Sequence, residues 1–353
     1  MTSIDEAKLN AFVNKLVGDV GATLSSALVV LGDRLGLWKA MAAHGPMTPT
    51  ELAGRTKTAE RYVREWLDAQ ASAEYVTYDP ATGKYTLPPE HAMTLADETS
   101  PAFFPGLFEV TAACWAGTDT MTKNFRTGDG IEWAHQHPCL FQGTERFFRS
   151  SYIGNLMQSW IPSLAGVEEK LRRGAKVADV GCGVGASTLL MARAFPNSRF
   201  FGFDYHQGSI ELARKRAEAA KLGDRVTFAA AKSTDYPGKD YDLIAHFDCL
   251  HDMEDPRGAA KHARQTIAAD GTWMIVEPFA GDRPEQNHNP VGRVYYAAST
   301  MLCVPHSLSH HGPGLGAQAG ESRLRDVVVG GGGFTRFRRA TETPFNLVLE
   351  ARP

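Results

Sequence analysis

The sequence has few cysteines, little excess charge and no long apolar run. The five cysteines among 353 residues are scattered, odd in number and without disulfide or metal-site spacing, which favours a reducing compartment. The formal net charge of −3 gives no global electrostatic reason to bind nucleic acid or an anionic membrane. The apolar stretch Ala27–Leu31 is interrupted at Asp33 and Arg34, too soon to span a bilayer. Because the N-terminal residues lack a basic region and an apolar core, we expect a cytoplasmic protein.

A segment near the middle of the chain has the pattern of a strand, a tight turn and a helix start. An apolar run beginning at Val177 contains Asp179 and is followed by three glycines at alternate positions: Gly181, Gly183 and Gly185. Glycine allows the backbone to turn with positive φ and lets a ligand approach closely. A second apolar strand ends at Asp204, where α/β sheets hydrogen-bond a ribose diol. These features predict a nucleoside-cofactor site.

The position of Asp179 distinguishes between possible nucleosides. A dinucleotide fold uses G-x-G-x-x-G, whereas here the third glycine, Gly185, comes one residue early. The Asp179 carboxylate would repel a pyrophosphate but suits an ammonium group. The segment resembles motif I of the class I S-adenosylmethionine-dependent methyltransferases. This resemblance implies S-adenosylmethionine as cofactor, with Asp179, Asp204 and the three glycines among its contacts.

The first 95 residues have the pattern of a winged helix. Apolar periodicity predicts helices over residues 5–18, 24–43, 50–55 and 59–71, followed by a hairpin over 75–87. In the last helix we expect Tyr62, Trp66 and Leu67 to face inward. A DNA-reading helix needs excess positive charge, but residues 56–75 balance Lys57 and two arginines against four acids. By resemblance to small-molecule O-methyltransferases, the domain is expected to form a homodimer and to bind no nucleic acid.

The remaining sequence predicts a connector and an α/β domain. Residues 96–165 read as helices broken near residues 128–130 and 135–138, with many aromatic residues that suit both a core and a substrate lid. From Lys176 onward the pattern alternates between strands and helices, which predicts a doubly wound parallel sheet of Rossmann-like type. The expected strands are residues 176–180, 199–203, 225–229, 241–247 and 271–277, and the expected helices are residues 186–195, 207–222 and 256–269. The last strand pair, residues 334–339 and 345–350, resembles the antiparallel strand that closes methyltransferase sheets. The expected domains are therefore 1–95, 96–165 and 166–353.

Several further residues are expected to contact the cofactor. Tyr205 is placed to lie on an adenine face. The family usually has an acid after the third strand, but Lys232 occupies that position and cannot accept a hydrogen bond. Ser233, Thr234 or Asp235 must then substitute, and the sequence leaves the choice open. In proteins of this kind the backbone at Phe247, which ends the fourth strand, commonly touches the cofactor.

The segment after the fourth strand carries the candidate catalytic residues. Leu250-His251-Asp252 resembles the Leu-His-Asp-Trp segment of O-methyltransferases, whose histidine is a general base, although Met253 replaces the tryptophan. A histidine can take the proton of a phenol as the methyl group transfers. Glu277 falls where those enzymes keep a glutamate that orients the histidine. The sequence leaves open whether His251 is a base or shapes the pocket.

The sequence predicts methyl transfer to a small molecule, most simply to an aromatic or polyketide-like hydroxyl, with nitrogen as the next candidate acceptor. No metal is expected, because the carboxylate and amide cluster of metal-dependent catechol methylation has no counterpart after the fifth strand. Two alternatives use the same features differently. One is an NAD-dependent oxidoreductase with the same ribose acid, and the other is a ligand-sensing winged-helix regulator without catalysis.

Overall fold

The computed structural model describes residues 4–353, which form two compact units. The first unit comprises the chain up to Ala112 together with Cys139–Ser150. The second comprises Ala113–Pro138 and Ser151–Pro353. The helical connector expected over residues 96–165 is therefore divided between the two units.

Helices make up most of the first unit and flank the sheet of the second. The α-helices are α1 (Glu6–Arg34), α2 (Leu37–His44), α3 (Pro49–Thr56), α4 (Glu60–Ser72), α5 (Pro89–Leu95), α6 (Pro105–Ala116), α7 (Thr118–Thr127), α8 (Cys139–Asn155), α9 (Ile161–Ser163), α10 (Val167–Arg173), α11 (Ala186–Ala194), α12 (Gln207–Ala219), α13 (Pro256–Thr266), α14 (Pro290–Ala298), α15 (Val304–Ser309) and α16 (Gly320–Arg325). The strands are β1 (Thr77–Asp79), β2 (Lys84–Thr86), β3 (Lys176–Val180), β4 (Arg199–Asp204), β5 (Val226–Ala230), β6 (Tyr241–Phe247), β7 (Ile267–Pro278), β8 (Arg336–Glu342) and β9 (Asn346–Arg352). Short 3₁₀ turns occupy Trp133–His135, Leu250–Asp252 and Pro284–Asn287, and π-helical segments occupy Leu156–Trp160, Ser299–Cys303 and Asp326–Gly331.

The first unit has the predicted winged-helix order, with helices followed by the antiparallel hairpin of β1 and β2.

The prediction of separate helices over residues 5–18 and 24–43 is wrong, because α1 is continuous to Arg34. The chain turns at Gly36, whose φ is 70°, and α2 begins after it. Gly18 and Gly21 lie inside α1. A helical glycine costs only about 1 kcal/mol relative to alanine, so these two do not end the helix.

Two tryptophans anchor the C-terminal part of α1 to the helices that follow it. The indole N–H of Trp38 donates to the carbonyl of Val29 at 3.1 Å, and that of Trp66 donates to the carbonyl of Leu28 at 2.9 Å. Tyr62 is 81% exposed, so the prediction that it faces inward is wrong. Val63 takes the inward position, because it lies three residues before Trp66 and four before Leu67 and therefore shares one helix face with both.

The N-terminal part of α1 presents an apolar face to solvent. Its large exposed side chains are Leu9, Phe12, Val13, Leu16, Val17, Val20 and Leu24. The apolar character is not confined to Ala27–Leu31 but extends along α1, which by length and composition could cross a membrane. A helix that forms an apolar protein interface can have the same length and composition.

A buried charge network connects three helices of the first unit. The guanidinium of Arg146 contacts Asp33 at 2.6 Å and Glu109 at 3.2 Å. All three side chains are at most 9% exposed. Although burial acts to lower the pKa of Arg146, its hydrogen bond to Asp33 and the charges of both carboxylates raise that pKa. Arg146 therefore stays charged and compensates two buried acids.

We predict that Arg146→Ala destabilises the first unit by about 3–5 kcal/mol, because Asp33 and Glu109 would remain buried without a counter-charge. The matched control is Arg149→Ala on the same helix. Its partly exposed pair with Glu98 should be worth about 1 kcal/mol or less. Equilibrium urea unfolding measures both values, and equal effects of the two substitutions would contradict the assigned role of the network.

The second unit contains a seven-stranded sheet in the order β5-β4-β3-β6-β7-β9-β8. The first five strands in this order are parallel, and β9 pairs antiparallel with both β7 and β8. This confirms the predicted Rossmann-like sheet with antiparallel closing strands. The bounds of β3 and β6 agree with the prediction, whereas β7 begins at Ile267, where residues up to 269 were expected to be helical. The carboxyl ends of the parallel strands bring the predicted site residues to one edge.

Candidate functional site

The loop after β3 has the backbone that its glycines predict. Three glycines have positive φ: Gly181 at 75°, Gly183 at 51° and Gly185 at 81°. A Cβ on Gly185 would lie 2.5 Å from the ring of Phe228, so close packing also requires a glycine there. A Cβ on Gly183 would meet no atom within 4 Å, which leaves its backbone accessible to a ligand.

Asp179 is buried beneath this loop. Its Oδ2 atom accepts hydrogen bonds from the hydroxyls of Ser187 and Thr188, each at 2.6 Å. Its Oδ1 atom is buried and has no hydrogen-bond partner among residues 4–353. Burial raises the pKa of Asp179 to about 6, against the opposing effect of the two hydroxyls. Neither Ser187 nor Thr188 was assigned to the site from the sequence, although both follow the glycines in the first turn of α11.

Asp204 lies at the end of β4 beside the glycine loop. Its two carboxylate oxygens accept the backbone N–H groups of Gly183 and His206, each at 2.9 Å. Burial raises its pKa, which these hydrogen bonds partly oppose. The structure therefore brings Asp204 and Gly183 into direct contact, as a ribose site between the loop and the second strand requires.

Tyr205 follows Asp204 and is 43% exposed. Its ring lies nearly parallel to that of His306 on α15, with a centroid separation of 5.9 Å and an interplanar angle of 11°. Trp133 contacts the same histidine edge-on. Neither His306 nor Trp133 was assigned to the site from the sequence, because both are distant from it along the chain.

Ser233 and Thr234 are half-buried in the turn after β5. The turn starts beside Asp204, since the N–H of Ala231 donates to the carbonyl of Asp204 at 3.0 Å. Lys232 points to Glu254, with an Nζ–Oε1 distance of 2.8 Å. The third candidate, Asp235, accepts the N–H of Lys232 at 3.1 Å. All three candidates thus lie near Asp204, and the adenine contact stays a prediction.

His251 and Glu277 form a buried pair at the carboxyl ends of β6 and β7. The Nδ1 atom of His251 lies 2.5 Å from Oε2 of Glu277, and the other oxygen, Oε1, accepts the N–H of Leu250 at 2.8 Å. Burial acts to lower the pKa of His251, but the charge of Glu277 and a contact with Cys303 outweigh it and raise that pKa well above its ordinary value. The pairing predicted from the sequence is therefore present in the structure.

Two further acids flank the pair. Burial and the nearby Glu277 raise the pKa of Asp248 well above its usual range. Asp248 has a φ of 51° and accepts a hydrogen bond from the Asn346 amide at 2.8 Å. Burial also raises the pKa of Asp252 to about 7, despite the favourable charge of His251. The edge of the sheet thus holds several carboxyl groups in a poorly solvated environment.

The catalytic segment packs against the glycine loop. The thiol of Cys249 donates to the carbonyl of Val180 at 3.5 Å, and its sulfur would lie 2.7 Å from a Cβ on Gly181. The glycine-rich segment of residues 312–320 also reaches the site, since the N–H of Gly316 donates to the carbonyl of His251 at 3.1 Å. The candidate base and the candidate cofactor loop are therefore neighbours.

Phe247 is buried at the end of β6 and packs among aromatic rings. Its ring lies 5.2 Å from that of Tyr152 and stacks on that of Trp160 at 6.3 Å between centroids. Trp160 belongs to a π-helical segment, and its buried indole N–H has no hydrogen-bond partner within the described residues. The side chain of Phe247 thus forms part of an aromatic cluster, while its backbone ends the strand beside Asp248.

Two protein-family profiles match the chain. Residues 23–97 match the Rv2258c-like winged HTH domain, and residues 178–273 match the family described as methyltransferase domain. The 27-O-demethylrifamycin SV methyltransferase of Amycolatopsis mediterranei is 31% identical over 118 residues, which are 31% of this chain and 43% of that protein. The trans-aconitate 2-methyltransferase of Streptomyces avermitilis is 39% identical over 82 residues, 23% of this chain and 30% of that protein. The chain thus spans less than half the length of these curated relatives.

Solved structures resemble almost the whole chain. The mitomycin 7-O-methyltransferase MmcR has a TM-score of 0.73 at 18% identity, covering 99% of this chain and 100% of its own. Human N-acetylserotonin methyltransferase, solved with S-adenosylmethionine, has a TM-score of 0.71 at 15% identity, covering 100% of this chain and 99% of its own. PigF, solved with S-adenosylhomocysteine, has a TM-score of 0.69 at 18% identity, covering 96% of this chain and 99% of its own.

The profile matches and the fold define the class of protein. The chain carries a winged-helix domain followed by a class I S-adenosylmethionine-dependent methyltransferase domain. The resemblance noted from the glycine loop is therefore confirmed, and the cofactor of this domain class is S-adenosylmethionine. The comparisons support a methyltransferase over an NAD-dependent oxidoreductase.

We predict that S-adenosylmethionine binds more weakly as the pH falls through about 6. Asp179 is ionised above its pKa of about 6 and becomes neutral below it, so its attraction for the cationic cofactor is lost on acidification. The dissociation constant should rise by up to about tenfold per pH unit below that point. Calorimetric titration between about pH 7.5 and about pH 5 measures the change.

The matched control is Asp179→Asn, which keeps the shape but cannot ionise. Its cofactor affinity should be weaker at neutral pH and should lose most of the pH dependence. A wild-type affinity that does not change across this pH range would contradict a charged contact from Asp179.

Proposed function

We propose that the chain transfers the methyl group of S-adenosylmethionine to a hydroxyl group of an aromatic or polyketide-like small molecule, with His251 as general base. The observation that carries this proposal is the buried Glu277–His251 pair, which lies at the same sheet edge as the glycine loop. Such an edge is where ligands bind in parallel α/β sheets.

The proposed chemistry needs positioning and one proton acceptor. The acceptor oxygen attacks the sulfonium methyl group, the methyl–sulfur bond breaks, and S-adenosylhomocysteine leaves as a neutral thioether. Because Glu277 engages Nδ1 of His251, the proton of the acceptor hydroxyl can pass to Nε2 of the neutral ring. Because Glu277 also raises the pKa of His251 well above its ordinary value, only the fraction of molecules with a neutral ring can accept the proton, and that fraction grows as the pH rises.

Aromatic side chains in the second unit support the proposed acceptor class. Tyr152, Trp160 and Phe247 form a cluster directly before Asp248 and the catalytic segment. Flat apolar rings with a few polar groups are the usual lining of a site for an aromatic ligand. Two similar proteins, the mitomycin 7-O-methyltransferase MmcR and the 27-O-demethylrifamycin SV methyltransferase, are named for methylation of small molecules.

We predict that His251→Ala lowers kcat by about 10²-fold or more, because the acceptor proton would lose its base. Glu277→Gln should also lower kcat, since the amide cannot stabilise the positive charge of the ring and its one oxygen can accept only one of the two N–H groups that Glu277 holds. Steady-state kinetics with a panel of phenols and hydroxylated polyketides measures both effects.

Cofactor binding separates catalysis from folding in this experiment. Both variants should bind S-adenosylhomocysteine with nearly wild-type affinity, because neither His251 nor Glu277 is among the predicted cofactor contacts in the glycine loop and at Asp204. An unchanged kcat with a raised KM in His251→Ala would show that the histidine binds the acceptor and is not the base.

We also propose that the chain is a cytoplasmic homodimer joined through its N-terminal domain. The exposed apolar face of α1 supports this, because an apolar stripe of that length is unfavourable in water unless covered. The charges of α4 argue against a nucleic-acid partner, since Arg61 pairs with Glu65 and Arg64 pairs with Glu60 within the helix. No excess positive charge is then left on this helix for phosphate groups.

We predict that Val20→Asp weakens dimerisation, because it places a charge within the apolar face of α1. Light scattering after size-exclusion chromatography should show dimer for wild type and mostly monomer for this variant. Ala22→Asp is the control, since Ala22 is exposed and lies on the opposite face by the helical period. A wild-type monomer, or recovery of the wild type with the membrane fraction of lysed cells, would contradict the proposal.

A further inference from the structure

Three potential metal ligands converge beside the candidate base. His251, Asp252 and Cys303 each offer one donor atom, and these three atoms lie within 4.8 Å of one another. The first two belong to the 3₁₀ turn after β6, and the third ends the π-helical segment Ser299–Cys303. Asp252 and Cys303 are 51 residues apart in the sequence, so only the fold brings Cys303 close to the other two ligands.

Glu277 prepares His251 for metal binding as well as for catalysis. A metal-binding histidine usually donates its second ring N–H to a carboxylate, which fixes the tautomer and makes the free nitrogen a better ligand. Here Glu277 lies 2.5 Å from Nδ1, so the lone pair of Nε2 is the one available to a metal ion. Both side chains are almost fully buried, which holds the ring in one orientation.

The backbone around Cys303, the third candidate ligand, is also held in place. Ser299, in the same π-helical segment as Cys303, accepts the N–H of Ala317 at 2.9 Å. One residue earlier, the N–H of Gly316 donates to the carbonyl of His251. These contacts tie the element that carries Cys303 to the turn that carries His251 and Asp252. Single π-turns within α-helices are frequent at functional sites.

We propose that His251, Asp252 and Cys303 bind a zinc ion, with the fourth coordination position open, and that zinc bound there inhibits methyl transfer. Imidazole, thiolate and carboxylate are the zinc ligands of proteins, whereas magnesium and calcium prefer oxygen ligands alone. Tetrahedral bonds of about 2.0–2.3 Å place donors roughly 3.3–3.8 Å apart. The three donors would therefore need to approach one another by no more than about 1.5 Å.

Inhibition follows from the shared nitrogen. A zinc ion on Nε2 of His251 occupies the lone pair that would accept the proton of the acceptor hydroxyl. The inhibitory effect therefore rests on the function proposed above, whereas the binding of zinc does not.

Cobalt substitution tests the site directly in the full-length protein. After chelator treatment and dialysis, we expect Co²⁺ to bind one equivalent per chain and to produce a thiolate-to-cobalt charge-transfer band, which Zn²⁺ then displaces. Cys303→Ser should abolish the band, and Asp252→Asn should weaken binding. Glu277→Gln should weaken Co²⁺ and Zn²⁺ binding by about 10–100-fold, as expected when the partner of a ligating histidine is lost.

Two other cysteine variants serve as matched controls. Cys139→Ser, in the first unit, and Cys114→Ser, in the second, should both keep the charge-transfer band. Absence of the band from the wild type, its persistence in Cys303→Ser or its loss in either control would overturn the proposed site.

Activity measurements separate failure of this proposal from failure of the proposed function. The rate of methyl transfer by the wild type should fall on adding Zn²⁺ and recover with EDTA. The rate of Cys303→Ser, relative to its own zinc-free value, should be much less sensitive. Zinc binding without inhibition would overturn the inhibitory role alone, and a metal-free enzyme that transfers no methyl group would overturn the proposed function while leaving the metal site intact.

Discussion

The buried contact between Glu277 and His251 organises the end of the sheet on which the candidate site is built. Phe247 pairs with Val276 in the parallel sheet, so the chain leaves β6 and β7 side by side. One oxygen of Glu277 then holds the N–H of Leu250, and the other holds the imidazole of His251. An isolated buried carboxylate costs several kcal/mol, so both oxygens need such partners. The same contact therefore shapes the turn after β6 and sets the direction of the candidate base.

The acids around the glycine loop provide a physical reason for the type of cofactor. Burial raises the pKa values of Asp179, Asp204, Asp248 and Asp252. A raised pKa means that burial makes the ionised carboxylate unfavourable, so keeping these groups ionised at neutral pH costs free energy. A phosphate-bearing cofactor would add repulsion to this cost. A cofactor with a sulfonium and an ammonium group would instead reduce it, and the winged-helix and methyltransferase matches agree with that choice.

Much of the catalytic domain could be predicted because its signals are local. Apolar runs and glycine spacing located β3, β4 and β6, and the glycines have the positive φ values that a tight turn needs. The parallel sheet then places Asp204, His251 and Glu277 at one edge without further information. The errors were also local in origin. The helices expected over residues 5–18 and 24–43 are divided differently in the structure, where α1 is continuous to Arg34, and Val63 takes the inward position expected of Tyr62.

The amino-acid sequence by itself determined the class of fold, the cofactor loop and the identity of the candidate base, because these depend on residue types at short, fixed spacings. Only the tertiary structure decided that Ser187 and Thr188 hold Asp179, that His306 lies against Tyr205, and that Cys303 reaches His251. These contacts join elements whose separation along the chain carries no periodic signal. They exist because helices and loops pack on the sheet in one arrangement, which sets the position of each side chain. The π-helical segment Ser299–Cys303 does the same for Cys303.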